Sequence, residues 1–251
     1  MARAPAPYIE ILRTSALSPA DWDGLWRLTD AFYVTDRGHA HDCIGLHQWI
    51  ALVRAARGGE IVGTASISVH HVPFEGRTIS AIYTSHVLLR PEVRGRNLIQ
   101  RMGLRMFLAE RLRHPFRPIY WFFETFSYKS YLLLPRNFRA YWPRHDRPTP
   151  AHELALIDRL ATRIYGADWR PTDGIVARSG RKRLRPTTAP LGSVRNSPEV
   201  EFFARANPGH AEGDMLVCLC PLTAANWFNA ARRAVARTFK RRPARTRASE
   251  A

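Results

Sequence analysis

Between Arg90 and Leu98 the chain reads Arg-Pro-Glu-Val-Arg-Gly-Arg-Asn-Leu, a basic stretch built around one glycine. Such a turn can aim successive backbone N–H groups, and the positive end of a following helix, at a bound phosphate. Arg94 and Arg96 would add charge-assisted bonds to the phosphate oxygens. The same residues also suit a plain strand-to-helix turn. A second position with chemical potential is Glu124, a carboxylate that follows the aromatic run Ile119-Tyr-Trp-Phe-Phe123. Placing a carboxylate there is costly unless it is paired or solvated in a cleft.

The flanking elements decide what these residues can reach. Tyr8 to Leu12 alternates as a strand does, and Ser18-Pro19 supplies an N-cap and first-turn proline for a helix carrying Trp22, Leu25, Trp26 and Leu28 to Phe32. A His-rich connection leads to strands at Trp49 to Ala55, Ile61 to Val72 and Thr78 to Leu89, with turns at Arg57 to Glu60 and Pro73 to Gly76. This is an antiparallel meander of three strands. Helical spacing then runs from Asn97 to Leu112 and stops before His114-Pro115, and the aromatic strand follows. The basic loop therefore joins a strand to a helix.

Further on, the pattern predicts a short helix over Tyr128 to Leu134 stopped by Pro135, a strand over Phe138 to Trp142 and a helix over Ala151 to Tyr165. Arg178 to Pro190 reads as a basic loop or flap. Met215 to Cys220 reads as a strand, Ala224 to Lys240 as an amphipathic helix, and the basic tail beyond it as disordered.

Composition sets the outer bounds. With 251 residues and 45% apolar content, a single elaborated domain, or one domain with an appendage, can bury a sizeable core. Disordered and collagen-like chains are excluded. The balance of 38 basic against 21 acidic residues gives +17, a potential that attracts nucleotides, acidic proteins, nucleic acid or anionic lipid. No apolar run of about 18 residues suggests a membrane span, and no apolar segment near Met1 suggests a secretory signal. Cys43, Cys218 and Cys220 are too few for a disulfide framework, so a cytoplasmic protein is expected.

Over roughly Tyr8 to Trp142, the meander, the apolar-x-Pro-x-x-Arg-Gly sequence, the helix and the next strand resemble the GNAT superfamily of acyltransferases. The resemblance implies an α/β (α+β) fold: a GNAT-like mixed, mostly antiparallel central sheet flanked by helices, with a C-terminal extension of strand plus helix. It divides the chain into a donor-binding core (1–145), an extension that completes the sheet and the acceptor side (146–242) and the disordered basic tail (243–251). It implies acyl-CoA, carrying acetyl or a longer group, as co-substrate, and no metal. Val87, Leu88 and Leu89 would pair with the pantetheine amides, and Arg94, Gly95, Arg96, Asn97 and Leu98 would hold the pyrophosphate. The superfamily's usual Gln/Arg-x-x-Gly-x-Gly/Ala is here Glu92-Val-Arg-Gly-Arg-Asn97. Asparagine tolerates left-handed backbone, whereas Glu92 is less welcome beside phosphate.

An amine acceptor would enter a V-shaped opening from the side opposite the donor. The resemblance makes Glu124 and His86 the candidate bases and Tyr131 or Tyr128 the candidate acid for the departing thiolate. Tyr131 lies two positions upstream of the expected place, and it also suits a packing role, as His86 suits a structural, hydrogen-bonded one. Two other readings keep the fold: an acidic acyl carrier protein as donor, or a non-catalytic polyanion-binding protein. No nucleic-acid-binding signature favours the last. His39-Ala-His41-Asp42-Cys43 lacks zinc-site spacing, Cys218 and Cys220 share one strand face as small hydrophobes, and His70-His71 reads as one inward and one outward strand residue. The basic segment Arg178 to Arg185 suits a CoA phosphate, a carrier protein, RNA or solvent. The final helix is expected to pack its apolar side on its own domain.

Overall fold

A computed structural model describes residues 6–178, 180–185 and 197–240. Strand β1 (Tyr8–Arg13) leads to α1 (Pro19–Phe32), whose start is fixed by a capping box in which Ser18 and Asp21 satisfy each other's backbone N–H groups. A two-residue strand β2 (Tyr33–Val34) precedes α2 (Arg37–Gly45), where a loose connection was expected. The meander is β3 (Trp49–Arg54), β4 (Ile61–Phe74) and β5 (Arg77–Leu89). Then come α3 (Leu98–Arg113) and β6 (Ile119–Thr125), so Glu124 lies inside its strand.

The expected single helix after β6 is two short ones, α4 (Tyr128–Tyr131) and α5 (Leu133–Asn137). Pro135 sits within α5, at its third residue, where a missing N–H costs no intrahelical bond. The extension contributes α6 (Ala151–Tyr165), the two-residue strands β7 (Trp169–Arg170), β8 (Ile175–Val176) and β9 (Arg183–Leu184), α7 (Pro198–Ala206), β10 (Met215–Pro221) and α8 (Ala224–Lys240). The expected tail (243–251), Ser179 and the flap residues 186–190 lie outside the described residues.

The large sheet runs β1-β3-β4-β5-β6-β10-β8-β7. Every pairing is antiparallel except β5 with β6, which are joined through α3 and run parallel. This is the mixed, mostly antiparallel sheet that the sequence implied, and β10 adds the extension's strand directly to β6. Both faces are covered. Ile50, Leu52 and Phe122 point into a layer with α1 and α6, while the alternating Ala51, Val53 and Phe123 point into a layer with α3, α4, α5 and α7. Cys218 and Cys220 share the second face, fully buried.

Phe138 to Trp142 is not a strand. The amides of Arg139 and Ala140 donate to Asn226 Oδ1 (2.9 and 3.0 Å), and only Trp142 bridges to the sheet, at Leu219. The 180–185 stretch is no loose flap either. β9 pairs with β2, the Arg185 amide donates to Phe32 O (2.9 Å), and the Arg185 guanidinium binds Asp30.

Candidate active site

The site begins with an irregularity in β5. Thr64 pairs with Leu88 and Ser66 with Ser85, so Ala65 alone faces both His86 and Val87. The extra residue is a β-bulge, and His86 carries it with a left-handed φ of 49°. Parallel pairing with β6 ends just before it, at Thr84 and Phe123. Past that point β5 and β6 no longer hydrogen-bond, which leaves a split between Ser85–Val87 and Glu124–Thr125.

Glu124 stands at the split, held by three hydroxyls. Ser85 donates to Oε1 at 2.8 Å, Tyr83 to Oε1 at 3.2 Å and Tyr165 to Oε2 at 2.6 Å. Burial pushes the Glu124 carboxyl above its ordinary range, and the Tyr165 and Ser85 bonds and the nearby Lys182 charge counter only part of that. The two tyrosines are pushed up by burial and by the carboxylate beside them, so they stay protonated as donors.

Behind Ser85 the contacts continue. His86 Nδ1 lies 3.2 Å from Ser85 Oγ, and Lys182 Nζ lies 3.0 Å from His86 Nε2. Burial, reinforced by the Lys182 charge, holds His86 well below the usual histidine range, so it is neutral and can accept from the lysine. Lys182 is itself lowered by burial, and it sits over the Tyr33 and Phe126 rings at 5.0 and 5.6 Å. A turn at Glu212–Asp214 places it. Gly180 N donates to Glu212 O, Arg178 N donates to Asp214 Oδ1, and a Cβ on Gly213 (φ 112°) would lie 2.3 Å from the Lys182 carbonyl oxygen.

A cleft of about 820 Å³ opens at the split, with Val87, Asn97, Glu124 and Lys182 on its wall. A second cavity of about 20 Å³, bordered by His39, Cys43, Arg178 and Arg181, shares Ser85, Glu124 and Lys182 with it. The basic loop stands at the start of α3. Gly95 (φ 75°) and Asn97 (φ 54°) are both left-handed, as the Asn97 reading anticipated, and Pro91–Val93 forms a 3-10 turn. Arg94 folds back, donating Nε to Leu89 O at 2.9 Å, while Arg96 and Glu92 are exposed. Leu88 and Leu98 point into the core, and neither they nor Leu89 line the cleft.

Of the residues singled out in the sequence, Glu124, His86, Val87 and Asn97 come together at the cleft. Tyr131 does not join them: it is fully buried against Phe202 and Phe203, and its hydroxyl donates to Pro143 O at 3.1 Å. Tyr128 is buried behind Ser127 and Ser130, which do reach the wall. Sequence reasoning missed Tyr83, Ser85, Tyr165 and Lys182. Elsewhere, among the described residues one cluster has metal-like spacing, His71, Glu110 and His114. Its glutamate already accepts from Ser80 at 2.6 Å and contacts His71 at 2.8 Å.

No family model matches the chain, and no curated protein matches it in sequence. Solved structures do align with it. A protein from Enterococcus faecalis V583, described as a probable N-acyltransferase, does so at TM-score 0.38 and 13% identity over 51% of this chain and 31% of that one. A GNAT family N-acetyltransferase from Escherichia coli in complex with CoA gives 0.36 and 15% over 57% of this chain and 78% of that one. An acetyltransferase from Trypanosoma brucei gives 0.36 and 21% over 57% and 99%. This chain thus spans about a third of the length of the first. The sheet order and its single parallel pair define a mixed, mostly antiparallel α/β fold. No helix among the described residues is long and apolar enough to cross a membrane.

Proposed function

We propose that this protein is an acyltransferase that moves an acyl group from a CoA thioester to an amine. The observation that carries the reading is the bulge at His86, which parts β5 from β6 and opens a largely apolar cleft onto a buried-side carboxylate. Backbone groups of Val87–Leu89, freed from pairing with β6, would take the pantetheine amides. The left-handed Gly95 and Asn97 would turn the loop's N–H groups toward the pyrophosphate, with Arg96 and Arg101 adding charge.

In the transfer step Glu124 takes a proton from the attacking ammonium or amine; its raised affinity for protons suits it to that work near neutral pH. The C–N bond forms, the tetrahedral oxyanion collapses and the C–S bond breaks. Lys182, whose burial makes it a readier acid, gives a proton to the departing thiolate and takes the role the sequence suggested for Tyr131. Return of the carboxylate's proton to the neutral lysine along Glu124–Ser85–His86–Lys182 uses the tautomer with the hydrogen on His86 Nε2, which passes to the lysine as Nδ1 takes the Ser85 hydroxyl hydrogen. The balance closes with acylated amine and free thiol.

The test is amine-dependent thiol release from CoA thioesters across a panel of amines and peptides. Wild type should release thiol, and Glu124→Gln should slow kcat by roughly a hundredfold or more. Absence of amine-dependent release with every thioester and amine of the panel contradicts the reading.

A further inference from the structure

The groups given a role in the proposed transfer lie at one end of the cleft, at Val87, Asn97, Glu124 and Lys182. Besides the split, its lining follows α3 from Asn97 to Arg111, about 20 Å at 1.5 Å per residue, and follows β6 back from Glu124 to Trp121. At about 820 Å³ it lies toward the upper end of the range for pockets that enclose a drug-sized ligand. An acetyl group would end at the split and leave this lower part wet.

That lower branch is apolar by construction. Alternation along β6 turns Phe123 and Trp121 to the α3 side, opposite to Glu124. The Trp121 indole N–H already donates to Thr84 Oγ1 at 2.7 Å, so its ring offers only an apolar face. Met106 and Phe107 of α3 and Trp227 of α8 complete the wall, the last two rings 4.9 Å apart. Arg111 closes the far end with its Nη1 spent on the carbonyls of Pro115 and Arg117. The small cavity on the charged side, beside Arg178 and Arg181, has no comparable room for a tail.

Gly103 adds an independent observation. It lies in the middle of α3, where glycine costs about 1 kcal/mol relative to alanine. Its own helix backbone and chain neighbours aside, no atom lies within 4 Å of where its Cβ would be, so packing within the protein does not require it. The residue lines the cleft. A helix-weakening glycine facing empty, apolar space is what a chain passing over the helix would need.

We infer that the cleft between α3, β6 and α8 holds the tail of a medium- or long-chain fatty acyl group, turned back along the α3 face of the sheet while its thioester sits at the split. The inference rests on the acyl-CoA reading above. It leaves the Glu124 face and the small charged cavity free for the amine.

The test is calorimetric titration of the whole chain with CoA, acetyl-CoA and dodecanoyl-CoA, for wild type, Gly103→Leu and Ala231→Trp. Both substitutions sit on helix surfaces that line the cleft, and leucine favours a helix over glycine, so folding survives. Each buried methylene is worth up to about fourfold in affinity, so dodecanoyl-CoA should bind wild type at least about tenfold tighter than acetyl-CoA. Both variants should shrink that ratio at least about threefold. Equal affinity for the two thioesters in wild type, or a ratio unchanged in both variants, overturns the fatty-acyl inference while leaving the CoA reading standing. Failure of all three compounds to bind wild type removes the CoA reading and the inference with it.

Discussion

Lys182 Nζ lies 3.0 Å from His86 Nε2, a contact that ties the C-terminal extension to the one bulged residue of β5. The bulge makes the split, and the lysine completes the polar side of it. Neither the meander nor the extension makes the site alone.

Replacing Lys182 by methionine tests that tie. Its positive charge is one of the influences holding the Glu124 carboxyl down against burial, so its loss leaves burial less opposed and the carboxyl rises further. The acidic limb of the kcat/KM profile, where Glu124 loses its proton, should move to higher pH, and kcat should fall by about a hundredfold. A limb that stays in place argues against the coupling.

Gly213→Ala reaches the same lysine indirectly. The added Cβ meets the Lys182 backbone carbonyl, not a flexible tip, so the Lys182 backbone must move. The expected cost is about 1–3 kcal/mol of stability, with a drop in kcat that is not additive with that of Lys182→Met. Additive losses in the double variant would place the two residues in separate functions.

His47 predicts a pH effect on stability. Burial lowers its pKa to about 4, and its ring stacks on Tyr83 at 5.1 Å, with Nδ1 3.2 Å from Ser68 Oγ. Because the folded state holds the proton less tightly than the unfolded chain, its contribution is fully present above about pH 6.5 and is lost as pH falls toward 4. By pH 5 the loss is on the order of 2 kcal/mol. Denaturant melts at pH 7 and 5 should show a smaller difference for His47→Gln than for wild type; equal differences would place the titration in other groups.

Asn226 predicts a structural effect. It is buried, accepts from the amides of Arg139 and Ala140, and donates to the carbonyls of Ala140 (2.8 Å) and Pro221 (2.7 Å). Asn226→Ala should cost roughly 3 kcal/mol, read as a lowered urea midpoint with little change in slope. A cost below about 1 kcal/mol would mean that solvent replaces these bonds.

The same asparagine explains one failure of sequence reasoning. Phe138 to Trp142 has the residue types of a strand, but its amides are satisfied by a side chain some 86 positions away, which no local pattern reveals. Helix α2 was missed for a different reason: only Ala40 and Ile44 are buried, so apolar periodicity is faint, although Asp36 caps it by accepting from His39 N at 2.7 Å. By contrast, Ser18-Pro19 marked α1, and the helix over Ala151–Tyr165 was legible throughout. At the site, Glu124 stood out as a carboxylate in an aromatic strand. Tyr165 and Lys182 did not, because they reach it from 41 and 96 positions away from their partners. One signal was present: Lys182 is among only three lysines, with Lys129 and Lys240, in a chain whose other cations are arginines. Lysine, unlike arginine, can give up its proton.

The central claim, that the split binds a CoA thioester, is tested most directly by thermal unfolding in moderate salt with acetyl-CoA, dodecanoyl-CoA, free CoA and ATP, for wild type and Gly95→Glu. A ligand at about a hundred times its dissociation constant adds roughly 2.7 kcal/mol, a shift of several degrees for a chain of this size. The account predicts a shift selective for CoA compounds over ATP, lost in Gly95→Glu, where bulk and negative charge occupy a left-handed position in the loop. Equal shifts with ATP, no shift with any CoA compound, or an undiminished shift in Gly95→Glu would contradict it.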